Sequence, residues 1–426
     1  MQESARIAAV IAVLGELAQT SQAADEVLHG WLRQRRYIGS HDRRRITALF
    51  YTVLRHHLRL EWHCAAAGLS PTPRALMLAA LRLIEGLPAA DILILFQGEG
   101  YGSPPLSSPE AAALGIWHDL HPTAMPEAIQ AECPPQHEAS LRHQFGAGFK
   151  SALTALIPPA PTDLRVNRHK TRPAEVIKVL GEQGLVAAPI AELPDGLRLP
   201  PRPGNLRGLK VFTDGWFEPQ DASSQLAVQA CVGAVTALHN PAEPRLRILD
   251  FCAGAGGKTL ALAAALGPRA EILAWDSDPE RLRRLAPRLR RSGAQEYVSV
   301  VENPEPYLGG CDAVLVDAPC SGTGTWRRHP EARRRYSTAD VDGFIALQQK
   351  ILAAAASYVR PGGLLMYCTC SLLPEEDQEQ AAWFSRTHSN FERLAPPSCL
   401  PASGLLAPHQ TATDGFFMAL WMKMSG

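Results

Sequence analysis

Two cysteines and an aspartate follow short apolar runs of the sequence, and these residue types suit covalent chemistry. Asp317 and Cys320 come after the run at residues 313–316, and Cys370 comes after the run at residues 364–367. Apolar runs of this length, ended by polar residues, are typical of buried strands in a parallel sheet. Because reacting groups gather beyond the carboxyl ends of such strands, we expect the two thiols and the carboxylate to share one crevice.

A glycine-rich turn follows another apolar run, at residues 246–251. Asp250 is followed by glycines four and six residues later, and then by Lys258. A nucleoside-triphosphate loop would need glycine six residues before this lysine, and a dinucleotide fingerprint would need glycine directly after it; the chain has Cys252 and Thr259 there. A carboxylate with glycines at this spacing suits S-adenosylmethionine, whose amino-acid end lies along such a turn. We therefore predict that this cofactor contacts Cys252, Ala253, Gly254, Ala255, Gly256, Gly257 and Lys258.

Acidic residues end the next apolar run, at residues 271–275. A carboxylate about twenty residues past the glycines is placed to hold the two hydroxyls of a ribose. We assign this role to Asp276, which stands directly at the end of the run. Asp278 precedes a proline and a helical pattern, so it is predicted to cap the helix that begins there.

Composition describes an ordinary globular chain. It has 426 residues, 46% hydrophobic and 20% charged, with a formal net charge of zero, so two or three domains are expected and any nucleic-acid contact must come from local basic patches. Its nine cysteines form no CxxC pair, which argues against a zinc or disulfide framework and favours reduced thiols. With no signal-peptide or membrane-spanning pattern, we predict a soluble, cytoplasmic monomer without metal.

The hydrophobic periodicity changes along the chain. It is helical over residues 5–67 and 75–87, whereas Gly, Pro and Ser predict loop-rich structure over residues 98–135. A strand at residues 163–167 and a helix at residues 173–181 predict a small α+β segment. After residue 210, helical stretches alternate with apolar runs, which predicts a doubly wound, mostly parallel α/β sheet. The predicted strands are residues 246–251, 271–275, 297–301, 313–316, 364–367 and 416–422.

The two cysteine motifs resemble those of a known family. Asp317-Ala-Pro-Cys-Ser-Gly-Thr-Gly324, together with Thr369-Cys-Ser371 and Glu375-Glu376, is similar to the RsmB-like (Sun/Fmu) RNA cytosine-5 methyltransferases. Further similarities are Gly215-Trp-Phe, Gln220-Asp221, Asp414-Gly-Phe-Phe417 and, more weakly, Asp42-Arg-Arg, Val53-Leu-Arg55 and Leu164-Arg-Val-Asn167. The resemblance implies a NusB-like helical module at residues 1–135, a small RNA-binding insert at 136–209 and a Rossmann-like methyltransferase domain at 210–426.

The resemblance also implies roles for individual residues. In this family, the cysteine matching Cys370 attacks carbon 6 of cytosine, and the one matching Cys320 helps to release the product. DNA cytosine-5 methyltransferases use the Pro-Cys cysteine as nucleophile, so the residues alone leave the assignment open; the presence of both motifs favours Cys370. Asp317 is implied to hydrogen-bond the cytosine and to lie beside the cofactor, with Lys258 close to the same carboxylate.

Two features depart from the family pattern or extend it. The family's third strand normally ends in an aspartate that contacts adenine; here Asn303 stands nearby, and we predict that its side-chain oxygen takes that role. Arginines follow the Pro-Cys motif, and we predict that Arg327 and Arg328 bind RNA phosphates.

Ribosomal RNA is the substrate that the resemblance favours, and transfer RNA is the first alternative. An exocyclic-amine methyltransferase is disfavoured, because such enzymes typically carry an aromatic residue in an Asp/Asn-Pro-Pro-Tyr motif. A non-catalytic RNA-binding assembly factor is the alternative outside the enzymes. Retention of Cys320, Cys370, Asp317 and Lys258 argues against it.

Overall fold

The computed structural model describes residues 1–119, 124–239 and 245–425. The chain divides into two compact units, which are described separately. The first comprises Met1–Pro158 and Trp326–Ser337, and the second comprises Pro159–Thr325 and Thr338–Gly426. The boundaries that we placed after residues 135 and 209 stay predictions. Within the described ranges, the helices are too short or too polar to cross a membrane.

The first unit is helical, as predicted for the amino-terminal part of the chain. The predicted apolar faces of its first and third helices are buried, with Ile7, Val10, Leu49 and Phe50 among the core residues. The helices are α1 (Glu3–Leu17), α2 (Ala24–Gln34), α3 (Ser40–Arg55), α4 (His57–Ala66), α5 (Pro73–Leu83), α6 (Ala89–Leu95), α7 (Ser108–Asp119), α8 (Glu127–Gln130), α9 (Pro135–Phe145) and α10 (Phe149–Thr154). The likeness to NusB stays a prediction.

One helix of this unit corrects a sequence prediction. Residues 98–135 were expected to be loop-rich, yet α7 and the short α8 lie within them; residues 120–123 of that stretch are outside the described residues. A capping box starts α7: the Ser107 N–H donates to the Glu110 carboxylate at 2.8 Å, and the Glu110 N–H donates to the Ser107 hydroxyl at 3.4 Å. The Gly and Pro residues at 98–105 lie in irregular structure, as predicted, but α7 was missed because this capping box begins a helix directly after them.

Two buried charged side chains stabilise the helical unit. The Glu132 carboxylate accepts hydrogen bonds from the backbone N–H groups of Leu58 and Arg59, in the first turn of α4. The guanidinium of Arg333 donates to the carbonyl oxygens of Arg55 and Leu156, and burial lowers its pKa to about 10. Arg333 belongs to the arginine run that follows the Pro-Cys motif, but its guanidinium is committed to the interior of this unit.

The second unit begins with a small sheet of antiparallel strands. The elements of this region are β1 (Thr162–Val166), α11 (Pro173–Glu182), β2 (Ala188–Ile190), β3 (Leu193–Leu199), α12 (Lys210–Thr213) and β4 (Phe217–Pro219). The strand order is β2-β3-β1-β4, and α11 packs against the sheet with Val176 and Leu180. This region contains the predicted strand at residues 163–167 and the predicted helix at residues 173–181.

A larger α/β sheet completes the second unit. Its elements are α13 (Ala222–Leu238), β5 (Leu246–Asp250), α14 (Gly257–Leu266), β6 (Ala270–Ala274), α15 (Pro279–Arg283), α16 (Leu285–Ser292), β7 (Val298–Val300), β8 (Cys311–Asp317), α17 (Thr338–Ala356), β9 (Val359–Thr369), α18 (Gln378–Thr387), β10 (Phe391–Leu394), β11 (Leu405–Leu406), α19 (Pro408–Thr411) and β12 (Phe416–Lys423). The strand order of the sheet is β10-β12-β9-β8-β5-β6-β7, with β11 also paired to β12.

This sheet confirms the predicted doubly wound fold. Strands β9, β8, β5, β6 and β7 are parallel to their neighbours in that order. Strand β12 pairs with β9 in the antiparallel direction, which the sequence did not predict. The register aligns Asp317 with Cys368 across β8 and β9, and aligns Asp250 with Ala274 across β5 and β6. The carboxyl ends of four strands therefore meet at one edge, where the predicted chemical groups lie.

Candidate active site

The two predicted thiols are in contact. Cys320 Sγ and Cys370 Sγ lie 3.3 Å apart, and both side chains are partly exposed. The Cys320 loop leaves the end of β8, and the Cys370 loop leaves the end of the neighbouring β9. The contact with Cys370 and burial raise the pKa of Cys320 well above its ordinary value. The structure thus brings together the two cysteines that the sequence placed in one crevice.

A lysine and an aspartate form an ion pair at the same edge of the sheet. Lys258 Nζ lies 2.6 Å from Asp317 Oδ2, and the two side chains are 8% and 35% exposed. The Phe416 ring covers the ammonium at 5.0 Å from its centroid. Burial alone would lower the pKa of Lys258, but the charge and hydrogen bond of Asp317, together with Cys368 and Asp250, outweigh burial, and the pKa is raised. Lys258 therefore remains a cation and holds the partly exposed Asp317 carboxylate in place.

The glycine-rich turn has a backbone that requires glycine at two positions. Gly254 and Gly256 have φ angles of +50° and +81°, values that other residues rarely adopt. A Cβ atom at position 256 would lie 2.1 Å from Leu285 Cδ1, and one at position 254 would lie 2.9 Å from the Arg281 guanidinium. Gly256 is the N-cap of α14, so the turn leads directly into a helix amino terminus with free N–H groups.

Asp250 lies buried beneath this turn. Its Oδ2 accepts a hydrogen bond of 2.6 Å from the Thr259 hydroxyl. Its Oδ1 has no hydrogen bond of good geometry, although the Cys252 N–H also stabilises the charged carboxylate. Burial raises the pKa of Asp250 to about 7, against the effect of Thr259. A buried carboxylate with a spare acceptor, glycines and a helix amino terminus together fit the amino-acid end of S-adenosylmethionine.

Asp276 fixes the other side of the turn. Its carboxylate accepts hydrogen bonds from the backbone N–H groups of Gly254 at 2.8 Å and Asp278 at 2.9 Å. Arg281 lies 3.6 Å from the same carboxylate. A carboxylate has about four acceptor positions, so acceptor positions remain for ribose hydroxyls; this role of Asp276 stays a prediction. Asp278 caps α15 through the Glu280 N–H, which confirms the prediction for that residue.

The remaining residues of the predicted cofactor segment support the turn through their backbones. The Ala253 N–H donates to the Trp275 carbonyl, and the Ala255 carbonyl accepts from the Arg288 guanidinium at 2.6 Å. The Gly257 carbonyl accepts from the Gln220 side chain at 3.2 Å. Cys252 is half-buried, and burial raises the pKa of its thiol. Their cofactor contacts stay predictions.

Asn303 makes a local contact that the sequence did not predict. Its side-chain oxygen accepts from the Glu305 N–H at 3.0 Å, and its side-chain amide donates to the Glu305 carboxylate at 3.2 Å. These bonds form a turn at the start of a short 3-10 helix. The side chain is exposed beyond the end of β7. Its contact with adenine stays a prediction. That contact would use the same side-chain oxygen that accepts from the Glu305 N–H.

Arg327 and Arg328 belong to the first unit of the fold. Arg327 is buried and Arg328 is half-buried, and both already have interaction partners within the protein. The predicted RNA-binding role of these two residues stays a prediction.

Sequence reasoning missed a buried carboxylate that joins the two cysteine loops. Glu376 Oε1 accepts from the Ser321 N–H at 2.9 Å and from the Gln348 side-chain amide at 3.0 Å. Glu376 Oε2 accepts from the Ser371 hydroxyl at 2.6 Å and from the Ser321 hydroxyl. The available signal was a glutamate six residues after Cys370, in a segment that resembles the family. Its burial depends on contacts with residues distant in the chain, which no local pattern indicates.

Family models match two parts of the chain. Residues 236–422 match the 16S rRNA methyltransferase RsmB/F model, and residues 138–203 match the ferredoxin-like domain of RsmF/B-like methyltransferases. The ribosomal RNA small subunit methyltransferase B of Serratia proteamaculans is 34% identical over 310 residues, covering 72% of this chain and 67% of the relative. The chain belongs to the RsmB/F methyltransferase family.

Other relatives of this RsmB/F family member carry similar names. A protein of Synechocystis named probable ribosomal RNA small subunit methyltransferase B is 36% identical over 290 residues, covering 65% of this chain and 63% of the relative. The corresponding Klebsiella pneumoniae protein is 37% identical, covering 71% of this chain and 66% of the relative. The matched region therefore spans about two thirds of the length of these relatives.

Solved structures share the fold. The crystal structure of PH0851 matches 99% of both chains with a TM-score of 0.75 at 23% identity. NSun6 from Pyrococcus horikoshii, crystallised with SFG, matches 69% of this chain and 99% of its own with a TM-score of 0.59 at 21% identity. A methyltransferase homolog from Pyrococcus horikoshii gives a TM-score of 0.57 at 26% identity over 72% of this chain and all of its own.

Proposed function

We propose that this RsmB/F family member transfers a methyl group from S-adenosylmethionine to carbon 5 of a cytosine in RNA, with ribosomal RNA as the favoured substrate. The observation that carries the proposal is the contact of two thiols, 3.3 Å apart, on loops that leave adjacent strands. The Lys258–Asp317 pair and the glycine-rich turn lie at the same sheet edge. Reduced thiols are stable in the cytoplasm, which is the proposed compartment.

The reaction requires a nucleophile because carbon 5 of cytosine does not attack a methyl donor unaided. The Cys370 thiolate forms a bond to carbon 6, and the electron pair of the double bond between carbons 5 and 6 moves onto carbon 5, where it is conjugated with ring nitrogen 3. Carbon 5 then accepts the methyl group, which S-adenosylmethionine supplies. A general base takes the proton from carbon 5. The electrons of that bond restore the double bond and expel the Cys370 sulfur as a thiolate, so that the enzyme is regenerated.

The two thiols titrate as a coupled pair. Contact with Cys370 and burial raise the pKa of Cys320 well above its ordinary value. This rise is a property of the pair, so the assignment of the attack to Cys370 and of product release to Cys320 follows from the resemblance of the two cysteine motifs.

Asp317 and Lys258 stabilise the cytosine ring while Cys370 attacks it. The Asp317 carboxylate is 35% exposed, so it can accept a hydrogen bond from the exocyclic amine, or from ring nitrogen 3 when that nitrogen is protonated. The ring gains electron density during the attack. A hydrogen-bonding group that is already in position lowers the activation barrier of this step, because the group does not have to reorganise during the reaction. Lys258 fixes the carboxylate and contributes positive charge to the site. The target cytosine must be flipped out of its base stack to reach these side chains.

Methyl transfer to RNA tests the proposed activity. The full chain is incubated with tritium-labelled S-adenosylmethionine and RNA from cells that lack the gene, and bisulfite sequencing then locates 5-methylcytosine. We expect incorporation at a cytosine of ribosomal RNA that is unmodified without the enzyme. Incorporation confined to transfer RNA would correct the substrate, and absence of incorporation into any RNA would support the assembly-factor alternative.

Trapping of a covalent complex tests the roles of the two cysteines. Cys320→Ala is expected to accumulate a protein–RNA adduct that survives denaturing electrophoresis, because product release is impaired. Cys370→Ala is expected to lose both the adduct and methyl transfer. The reverse pattern would show that the two roles are exchanged.

A further inference from the structure

One buried side chain forms hydrogen bonds with both cysteine loops. Ser321 and Ser371 directly follow Cys320 and Cys370, and the carboxylate of Glu376 accepts hydrogen bonds from both hydroxyls. The same carboxylate accepts from the Ser321 backbone N–H at 2.9 Å. The serine that follows each cysteine therefore donates to the same carboxylate.

We propose that Glu376 is a positioning residue that holds the Cys320 and Cys370 loops in register, so that the two thiols act as a pair. The inference rests on the proposed function and adds to it a residue that touches neither thiol. The loops are also joined directly, because the Leu372 N–H donates to the Thr323 hydroxyl at 2.8 Å and the Gly324 N–H donates to the Cys370 carbonyl at 2.9 Å. Glu376 acts next to the sulfur atoms themselves, since it binds the residue that directly follows each cysteine.

A second contact holds the other side of Cys320. Gln348, on α17, donates through its side-chain amide to the Glu376 carboxylate and to the Pro319 carbonyl, each at 3.0 Å. Pro319 and Ser321, which flank Cys320, are therefore both linked to Glu376. The Gln348 oxygen accepts in turn from the Gln380 side chain at 3.1 Å. The Cys320 loop is fixed on both sides by this network.

The chemistry of the site favours a carboxylate at this position. Four donors converge on Glu376: two hydroxyls, one backbone N–H and one side-chain amide. A carboxylate has about four acceptor positions and can satisfy all of them. The side chain is fully buried, and an unpaired charge there would be strongly unfavourable. Burial raises the pKa of Glu376, while its bonds with Ser321 and Ser371 oppose the rise.

Disulfide formation measures the pairing of the thiols without RNA or cofactor. Hydrogen peroxide oxidises one thiol to a sulfenic acid and is reduced to water; the second thiol then displaces the hydroxyl group as water, forming the disulfide. Two thiol hydrogens and two electrons thus end in two water molecules. Peptide mapping by mass spectrometry quantifies the bond between Cys320 and Cys370, and dimedone labels any sulfenic acid that waits for a partner.

Wild-type protein is expected to form this disulfide with little dimedone labelling, because the sulfur atoms are already in contact. Glu376→Ala is expected to slow closure about tenfold or more and to accumulate dimedone-labelled sulfenic acid, since a buried hydrogen-bond network is lost. Glu376→Gln is expected to restore most of the wild-type rate, because an amide keeps one acceptor and the hydroxyls can rotate to bond its other end. Glu379→Ala, at an exposed position on α18, is the matched control and should behave as wild type.

Steady-state kinetics supply the second measurement. Glu376→Ala is expected to lower kcat for methyl transfer about tenfold or more and to leave the KM for S-adenosylmethionine unchanged, with rescue by glutamine. If Glu376→Ala does not give folded protein, Ser321→Ala combined with Ser371→Ala removes the two hydroxyl donors instead and should slow closure severalfold.

The outcomes separate the inference from the proposed function. Equal rates of disulfide closure in wild type and Glu376→Ala, or in the double serine variant when it is used, would overturn the positioning role, as would failure of wild-type protein to close the bond. Slow closure in these variants, combined with no methylation by the wild type, would support the positioning role and reject the proposed reaction.

Discussion

The ionisation of Asp250 makes the stability of the second unit depend on pH. This carboxylate is buried beneath the glycine-rich turn, and burial raises its pKa from the ordinary 3.8 to about 7. The folded state therefore holds a proton more tightly than the unfolded state does. The resulting stabilisation is fully present below about pH 4, and it is lost as the pH rises to about 7 and above.

The magnitude follows from the two pKa values. They differ by about 3, and since each pKa unit corresponds to about 1.36 kcal/mol, the unfolding free energy should fall by up to about 4 kcal/mol across this interval. Asp250→Asn removes the ionisation. The amide can still accept from Thr259, but its NH₂ group places a second donor beside the Cys252 N–H, which stabilises the wild-type carboxylate; this costs about 1–3 kcal/mol at every pH. The unfolding free energy of Asp250→Asn is therefore expected to be lower than that of the wild type at low pH, and it should not show the fall with rising pH that the ionisation of Asp250 causes.

Urea unfolding of both proteins between about pH 4 and about pH 8 tests the reasoning. The quantity to compare is the difference between wild type and Asp250→Asn at each pH, because other groups titrate equally in both. Asp342→Asn, an exposed aspartate on α17, is the control and should run parallel to wild type. A constant difference between wild type and Asp250→Asn over the whole range would refute the raised pKa of Asp250.

Three further predictions concern single side chains. Gly256→Ala should destabilise the fold by about 2–4 kcal/mol in urea unfolding, because of its φ angle and the approach to Leu285, and Leu285→Ala should relieve part of that cost; additive effects of the two changes would argue against the clash. Asp317→Ala should destabilise by about 3 kcal/mol, because it leaves the buried Lys258 cation without its ion-pair carboxylate, and Lys258→Met by less than about 1 kcal/mol, because the Asp317 carboxylate is partly exposed; equal losses would contradict this reasoning. Arg333→Met should lower the melting temperature by several degrees, since two buried carbonyl oxygens lose their donor, and an unchanged melting temperature would contradict that role.

The strands and the thiol pair were predictable because they depend on local pattern and on a general rule of sheets. Apolar runs at residues 313–316 and 364–367 were sufficient to identify β8 and β9, and parallel pairing then placed Cys320 and Cys370 at one edge. The Lys258–Asp317 contact was available only through family resemblance. No local pattern indicates that a side chain on α14 reaches the end of β8.

Side-chain contacts that do not follow from strand pairing were not predictable. Ser321 and Glu376 are separated by 55 positions, and the burial of Glu376 depends on how α17 covers the cysteine loops. Asn303 illustrates the opposite case. Its contact with Glu305 is local, and the sequence Asn-Pro-Glu is a turn signal that is sufficient to predict this contact.

Two glycines explain why distant motifs form one site. The Gly415 N–H donates to the Gly324 carbonyl at 2.8 Å, and a Cβ atom on Gly324 would lie only 2.1 Å from the Gly415 carbonyl oxygen. This backbone contact requires the absence of side chains, and it joins the Pro-Cys loop to the start of β12. The next residue, Phe416, covers the ammonium of Lys258, and the preceding Asp414 N–H donates to Asp221. The antiparallel strand β12 is thus required at the site, because its first residues cover the cation that orients Asp317.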